Sequence, residues 1–248
     1  MSQNQLGSVL PLHAKVVACR VLEPEFRAMG LGAGQVIYLD QGLHRYPKDL
    51  RQKLGQEIAE LEEQADIKRV ILGYGLCGGG LDGLYSSRLE LVLPLVHDCI
   101  PLLLGKDQPA ISYGGGASFY LSPGWIDHGK TPLTEYYLAV EHFGQEDAMW
   151  VAREMLKGYS QVVLINTKAG INELQRDYAR RMARLFGLAY REVQGRTQRI
   201  ADLLAARGSR SVALLPPGQA IESGMYPQTE IPSPNLGEKA ACTLCTNS

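Results

Sequence analysis

The sequence predicts an α/β protein made of two Rossmann-like halves whose parallel sheets face a central cleft. Short apolar runs rich in Val, Ile and Leu recur along most of the chain, and they are apolar throughout, not at every second residue. Such runs are typical of strands that are covered on both faces. Segments of helical periodicity separate these runs, and strands that alternate with helices form parallel sheets with right-handed crossovers.

Composition narrows the class of protein. The chain has 248 residues, of which 45% are hydrophobic and 21% charged, so it is long enough to bury a core. A net charge of −1 argues against a general nucleic-acid binder. The chain has no apolar run of about 18 residues and no signal-peptide pattern, so we expect no membrane span and a cytoplasmic location. Thiols stay reduced there, and clustered cysteines then indicate metal binding or catalysis.

The first half contains four predicted strands and one long helix. The helix runs from Pro47 to about Gln64, because Pro47 suits a first turn and the apolar residues fall on one stripe. Residues 99–104 are predicted to form a short buried helix. The predicted strands lie at 15–22, 35–39, 68–74 and 89–96.

The second half continues the alternation. Thr131 and Pro132 suit the start of a helix that ends near His142, and Gly144 separates it from the next helix. Gly187 suits the end of a later helix. The predicted strands lie at 118–121, 161–166, 188–193 and 211–215, and the other helices at 146–157, 172–186 and 197–207.

We expect three regions along the chain. Residues 1–110 form the first half and carry a Cys/His site, and residues 111–218 form the second half. Residues 219–248 have little periodicity and are predicted to be an irregular tail that contributes little to the fold.

The stretch Gly73–Gly80, GYGLCGGG, follows a predicted strand and has two interpretations. It contains the G-x-G-x-x-G spacing of a dinucleotide-binding turn, but such a turn opens a long helix, and few residues remain before the next strand. The alternative is that the glycines present the thiol of Cys77, with a short helix N-terminus that stabilises the thiolate. We favour the thiol interpretation.

Soft metal ligands follow three of the predicted strands. Because ligands bind beyond the carboxyl ends of strands in an open α/β sheet, Cys77, His97 and Cys99 are expected to converge in one cleft. Two sulfurs and one imidazole suit zinc and leave a fourth position for water or substrate. Cys19 also lies at a strand end, but a cysteine inside a strand is more often a small buried hydrophobic residue.

Other residues are candidates for catalysis or substrate binding. His128 is expected to act as a fourth ligand or proton shuttle from the facing half, and Asp98 to orient an imidazole. With Cys77 they form the predicted catalytic set. His44 is predicted to be a turn or cleft residue. The substrate-binding candidates are Glu23, Tyr74, Trp125 and Lys168.

The tail carries a second cysteine pattern, Cys242-x-x-Cys245. Its spacing is that of half a zinc site or of a redox pair, but no second pair accompanies it. Both interpretations, and that of a tail feature without a function, stay open.

Several motifs together resemble one family. The stretches LEPEF, GLHRYPKDLRQKL, ILGYGLCGGGLDGL, VHDCIPLLLG and YLSPGWIDHG are similar to the uncharacterised family called domain of unknown function 1638, over most of residues 15–218. The resemblance implies a protein encoded beside corrinoid-dependent methyltransferase systems that act on methylated amines. It carries no catalytic residues over to this chain.

Three functions are therefore expected. The first is a metal-binding enzyme, with zinc the expected metal, of methyl-group or methylated-amine metabolism. The second is a cofactor-independent cysteine enzyme of racemase-like architecture. The third is a non-catalytic accessory protein for a corrinoid or a metal. The expected partners are a small-molecule substrate and a corrinoid protein or methyltransferase, without nucleic acid or membrane; corrinoid is a second candidate cofactor.

Overall fold

The protein has two β-sheets with helices packed around them. The computed structural model describes residues 10–106 and 116–227. The helices and strands are, in chain order, β1 (Ala14–Cys19), α1 (Glu23–Ala28), β2 (Val36–Leu39), α2 (Pro47–Glu62), β3 (Arg69–Gly73), β4 (Glu90–Pro94), α3 (Ile100–Leu104), β5 (Ala117–Leu121), α4 (Pro123–His128), α5 (Pro132–Phe143), α6 (Gln145–Met155), β6 (Tyr159–Asn166), α7 (Glu173–Phe186), β7 (Ala189–Gln194), α8 (Gln198–Leu204) and β8 (Val212–Leu215).

The first sheet has the strand order β2-β1-β3-β4-β8. Its first four strands are parallel, and β8 is antiparallel to β4. Strand residues such as Val16 and Ile71 are fully buried because both faces of the sheet are covered. The predicted apolar stripe of α2 is buried, including Leu50 and Leu54, so this helix covers part of the first core.

The second sheet has the order β5-β6-β7 and is parallel throughout. Helix α7 packs Ala179 and Met182 into its core, and Gly187 ends the helix at φ 69°. Thr131 and Asn172 cap α5 and α7 through their side chains. The fold class, two Rossmann-like halves with predominantly parallel sheets, is confirmed.

Two short helices differ from the sequence-based prediction. Residues 20–22, predicted to end a strand, form a 3-10 turn, and α1 follows because Pro24 suits the first turn of a helix. Helix α4 lies where no element was predicted, and Ser122 caps it by accepting a hydrogen bond from Trp125 N at 3.3 Å.

The end of the chain also differs from expectation. Strand β8, assigned by sequence to the second half, joins the first sheet; an antiparallel neighbour needs no long crossover. Beyond it, Ile221 and Tyr226 are buried, and Ile221 exchanges two main-chain hydrogen bonds with Gly83 and Leu84 at 2.7 Å. Residues 219–227 contain no strand or α-helix, but Ile221 and Tyr226 pack into the first core. The predicted boundary near residue 110 and residues 228–248 lie outside the described residues.

Two close contacts hold α4 and the second sheet against the first half. A Cβ on Gly124 of α4 would lie 1.9 Å from the carbonyl oxygen of Val21, so only glycine allows this approach. The hydroxyl of Thr167, after β6, donates a hydrogen bond to the buried carboxyl of Glu25 in α1 at 2.9 Å. None of the helices in the described ranges is both long and apolar enough to cross a lipid bilayer.

Candidate functional site

A cavity of about 340 Å³ lies where the first sheet meets helix α4. Residues that follow β1, β2, β3 and β4 form most of its wall, and Trp125 of α4 closes it from the second half. This is the place where ligands bind in open α/β sheets. The lining residues are Cys19, Gln41, His44, Gly73, Tyr74, Gly75, Cys77, Gly78, His97, Asp98, Cys99 and Trp125.

The loop after β3 is held against the loop after β4. Leu76 N donates to Val96 O at 2.9 Å, and Cys77 N donates to His97 O at 2.8 Å. A Cβ on Gly75 would lie 2.7 Å from both Val96 O and Asp98 N, so this position requires glycine. The two loops therefore bring Cys77 beside the segment that carries His97 and Cys99.

The backbone at Cys77 is left-handed. Its φ is 47°, an uncommon value for a residue with a Cβ, and the next two glycines follow at φ 68° and 91°. Three consecutive residues of this hand form a tight turn, and the next regular element after this turn is β4. The loop therefore lacks the long helix of a dinucleotide-binding turn, in agreement with the thiol interpretation.

Three free thiols share the cavity wall. Cys19 is buried, while Cys77 and Cys99 are partly exposed and pack against the first core. Burial raises the pKa of the Cys19 thiol to about 11 and that of Cys77 to about 12, and it raises the pKa of Cys99 well above its ordinary value. A charge on Cys19 would raise the pKa of both other thiols further.

The raised pKa of Cys77 disfavours the expected thiolate near neutral pH in the protein alone. We expected a helix N-terminus to stabilise it, but the turn at Cys77 contains only a 3-10 helix with a left-handed residue inside. The indole Nε1–H of Trp125 donates to Cys99 Sγ at 3.4 Å and partly offsets the effect of burial there. Among residues 10–106 and 116–227, no Lys or Arg lines the cavity to stabilise a negative sulfur.

His97 and Asp98 line the cavity, but other groups already bind part of each side chain. His97 Nε2 donates to the carbonyl of Pro227 at 2.7 Å, since that oxygen can only accept, and Nδ1 is left as the basic nitrogen. Asp98 Oδ1 accepts from Ile100 N at 2.8 Å. Across residues 10–106 and 116–227, no three or more His, Cys, Asp or Glu side chains are arranged to hold a metal ion.

The remaining predicted residues divide into two groups. Tyr74 and Trp125 line the cavity, and the buried Tyr74 hydroxyl has no hydrogen-bond partner within the described part of the chain. Glu23, His128 and Lys168 are not among the lining residues. Glu23 instead pairs with Arg27 at 2.5 Å and lies 3.6 Å from His128 Nε2, whereas Lys168 is exposed.

Among the lining residues, sequence reasoning missed Gln41, favoured a buried core role for Cys19, and predicted His44 as a turn or cleft residue without assigning it a ligand. Cys19 ends β1 and its strand-end position was a usable signal, but its apolar neighbours favoured a core residue. Gln41 lies with His44 on the short 3-10 helix after β2, and no motif in the sequence marks Gln41. Cys242 and Cys245 lie outside the described residues.

Comparison with known proteins supports one assignment. A family model described as Protein of unknown function (DUF1638) matches residues 38–204. Neither the curated proteins nor the solved structures include a match to the chain. The matched range runs from β2 to α8 and includes Cys77, His97 and Cys99, while Cys19 precedes it.

Proposed function

Because the chain belongs to the family described as Protein of unknown function (DUF1638), whose description names no activity, we propose a function from the cavity itself. The protein binds a thiophilic metal ion, with zinc the first candidate, through the cavity thiols. It acts there on a small substrate, as an enzyme of methyl-group metabolism. The observation that carries the proposal is the convergence of three thiols in a cavity whose described lining residues include no Lys or Arg.

The main argument for a bound metal ion is that no Lys or Arg among the described lining residues could stabilise a thiolate. Buried thiols with a raised pKa are poor nucleophiles, because the thiolate is the reactive form. A bound divalent cation reverses this, since a coordinating thiol loses its proton outright. None of the described lining residues carries a permanent positive charge, so in this proposal the bound metal ion itself supplies the activating charge.

The proposed ligands are Cys77, His97 and Cys99. The hydrogen bond from His97 Nε2 to Pro227 O leaves Nδ1 for the metal, and metal-binding histidines commonly donate their other nitrogen to a carbonyl in this way. Because these side chains are not arranged as a metal site in the structure, binding requires rotation of at least one of them.

Zinc bound by thiolates supports methyl transfer in simple chemical terms. With a fourth position open, the ion can bind a substrate sulfur or amine and favour its nucleophilic form. A corrinoid protein or methyltransferase as the partner, suggested by the family resemblance, is part of this proposal.

The two alternative functions, a cysteine enzyme and a non-catalytic accessory protein, require different properties of the cavity residues. A cofactor-independent cysteine enzyme needs a thiolate near neutral pH, which the raised pKa of Cys77 disfavours. A non-catalytic accessory protein would bind metal or corrinoid without turning over a small substrate.

Metal binding tests the proposal. We suggest loading reduced protein with Zn²⁺ or Co²⁺ in a Cys242→Ser/Cys245→Ser background, so that every remaining thiol belongs to the cavity. We expect about one ion per chain and a sulfur-to-cobalt charge-transfer band, both lost in Cys77→Ser and Cys99→Ser. Absence of stoichiometric metal in the parent protein would refute the proposal, and rapid alkylation of Cys77 in that case would favour the cysteine enzyme.

A further inference from the structure

One ring nitrogen of His44 has no hydrogen-bond partner among the described residues. Its Nδ1 lies 2.5 Å from the main-chain oxygen of Gln41, and that oxygen can only accept, so Nδ1 carries the hydrogen. The Gln41 side-chain nitrogen lies 3.2 Å from the same Nδ1, but it cannot donate to a protonated nitrogen. Nε2 is therefore an acceptor, and it has no hydrogen-bond partner within the described part of the chain.

The imidazole is held in place from two sides. Gln41 is only 2% exposed, and its side-chain oxygen accepts from Lys130 N at 3.1 Å, which fixes the turn that carries His44. The ring of His44 meets that of Trp125 edge-on, with centroids 5.6 Å apart. Trp125 in turn contacts Cys99, so the imidazole lies on the wall that also carries the thiols.

Charge limits what the cavity accepts. An anionic group that enters loses its hydration, and none of the described lining residues is a Lys or Arg that could compensate for this loss. The volume of about 340 Å³ is at the lower end for small-molecule sites.

We infer that the cavity takes a small uncharged ligand that donates a hydrogen bond to His44 Nε2. The inference concerns the substrate of the proposed function and rests on the proposal that this cavity is the functional site. It does not depend on a bound metal.

Three compounds of nearly equal size separate charge from hydrogen bonding. Benzamide is uncharged and donates, acetophenone is uncharged and cannot donate, and benzoate is anionic. The chain has two tryptophans, so Trp150→Phe leaves Trp125 as the only indole reporter of binding. Fluorescence titrations of the metal-free protein should show benzamide binding at least about tenfold more tightly than benzoate, and more tightly than acetophenone.

Replacing the imidazole tests the role of His44. In His44→Leu, benzamide should lose its advantage over acetophenone while benzoate stays weak; His44→Gln, which keeps an acceptor, should retain part of the advantage. The matched control is His142→Leu, which removes an exposed histidine of α5.

Several results would overturn the inference. These are benzoate binding as tightly as benzamide, an unchanged benzamide preference in His44→Leu, or no binding of any of the three compounds. If His44→Leu fails to fold, titrations of the three compounds with the parent protein and with His44→Gln still test the inference. Failure of metal loading together with the expected ligand pattern would refute only the metal proposal.

Discussion

Replacing Glu25 by Gln should make the protein more stable at alkaline pH. Glu25 is fully buried in α1, and one of its carboxyl oxygens has no hydrogen-bond partner in the described ranges. Burial raises its pKa from 4.5 to about 7, while the hydrogen bond from Thr167 lowers it. The fold therefore favours the protonated carboxyl.

The sign and size of the effect follow from this rise. The contribution of Glu25 is complete below about pH 4.5, where the carboxyl is protonated in both states, and it is lost as the pH rises to about 7. At about 1.4 kcal/mol for each pH unit, the ionised carboxyl lowers the free energy of unfolding by about 3 kcal/mol above pH 7. Glutamine has nearly the same shape, keeps an acceptor for Thr167 and does not ionise.

Urea unfolding followed by circular dichroism over this pH range measures the difference. The gap between Glu25→Gln and the parent protein should widen by about 3 kcal/mol from acid to alkaline pH, whatever constant offset the amide introduces. Glu154→Gln, which removes an exposed carboxylate of α6, is the control for loss of charge. Parallel stability curves for Glu25→Gln and the parent protein would refute the argument from burial.

Metal binding should depend on Cys77 and on pH. Cys77→Ser should lose most of its zinc, measured in dialysed protein, with an unchanged far-ultraviolet spectrum; full retention would exclude this thiol as a ligand. Because burial raises the pKa of Cys77 to about 12, each bound thiol releases a proton, and zinc affinity should rise up to about a hundredfold per pH unit near neutrality. A pH-independent affinity in competition with a chelator would contradict thiol ligation. Gly124→Ala should lower the free energy of unfolding by about 1–3 kcal/mol, because its Cβ would lie 1.9 Å from Val21 O. Gly34→Ala, with open space at its Cβ, is the control, and equal urea midpoints for the two variants would contradict the close packing of α4.

The long helices and strands could be predicted because the spacing of their apolar residues along the chain shows which face is buried. The apolar stripe of α2 and the strands of the first sheet needed no knowledge of their partners. The short helices α1 and α4 were missed because five or six residues carry too little periodicity. The pairing of β8 with β4 was missed because it depends on a contact between distant parts of the chain.

The position of the cavity residues could be predicted from the sequence, whereas the protonation of their side chains could not. Cys77 and Cys99 follow strands of the first sheet and line the cavity, as their positions after predicted strands led us to expect; whether they form a site is a proposal. The protonation of these thiols could not be read from sequence, because it results from burial by several elements together. The open nitrogen of His44 depends on a hydrogen bond to a turn carbonyl, and residue spacing does not encode such a bond.

The late return of the chain to the first sheet has a consequence for biosynthesis. On the side away from β3, strand β4 pairs with β8. Because β8 follows the second sheet in the chain, it is synthesised after the whole second half. At ordinary translation rates this delay is on the order of ten seconds. During that time the buried strand β4 is an open apolar edge of the nascent chain, available to chaperones or to a neighbouring chain on the same messenger.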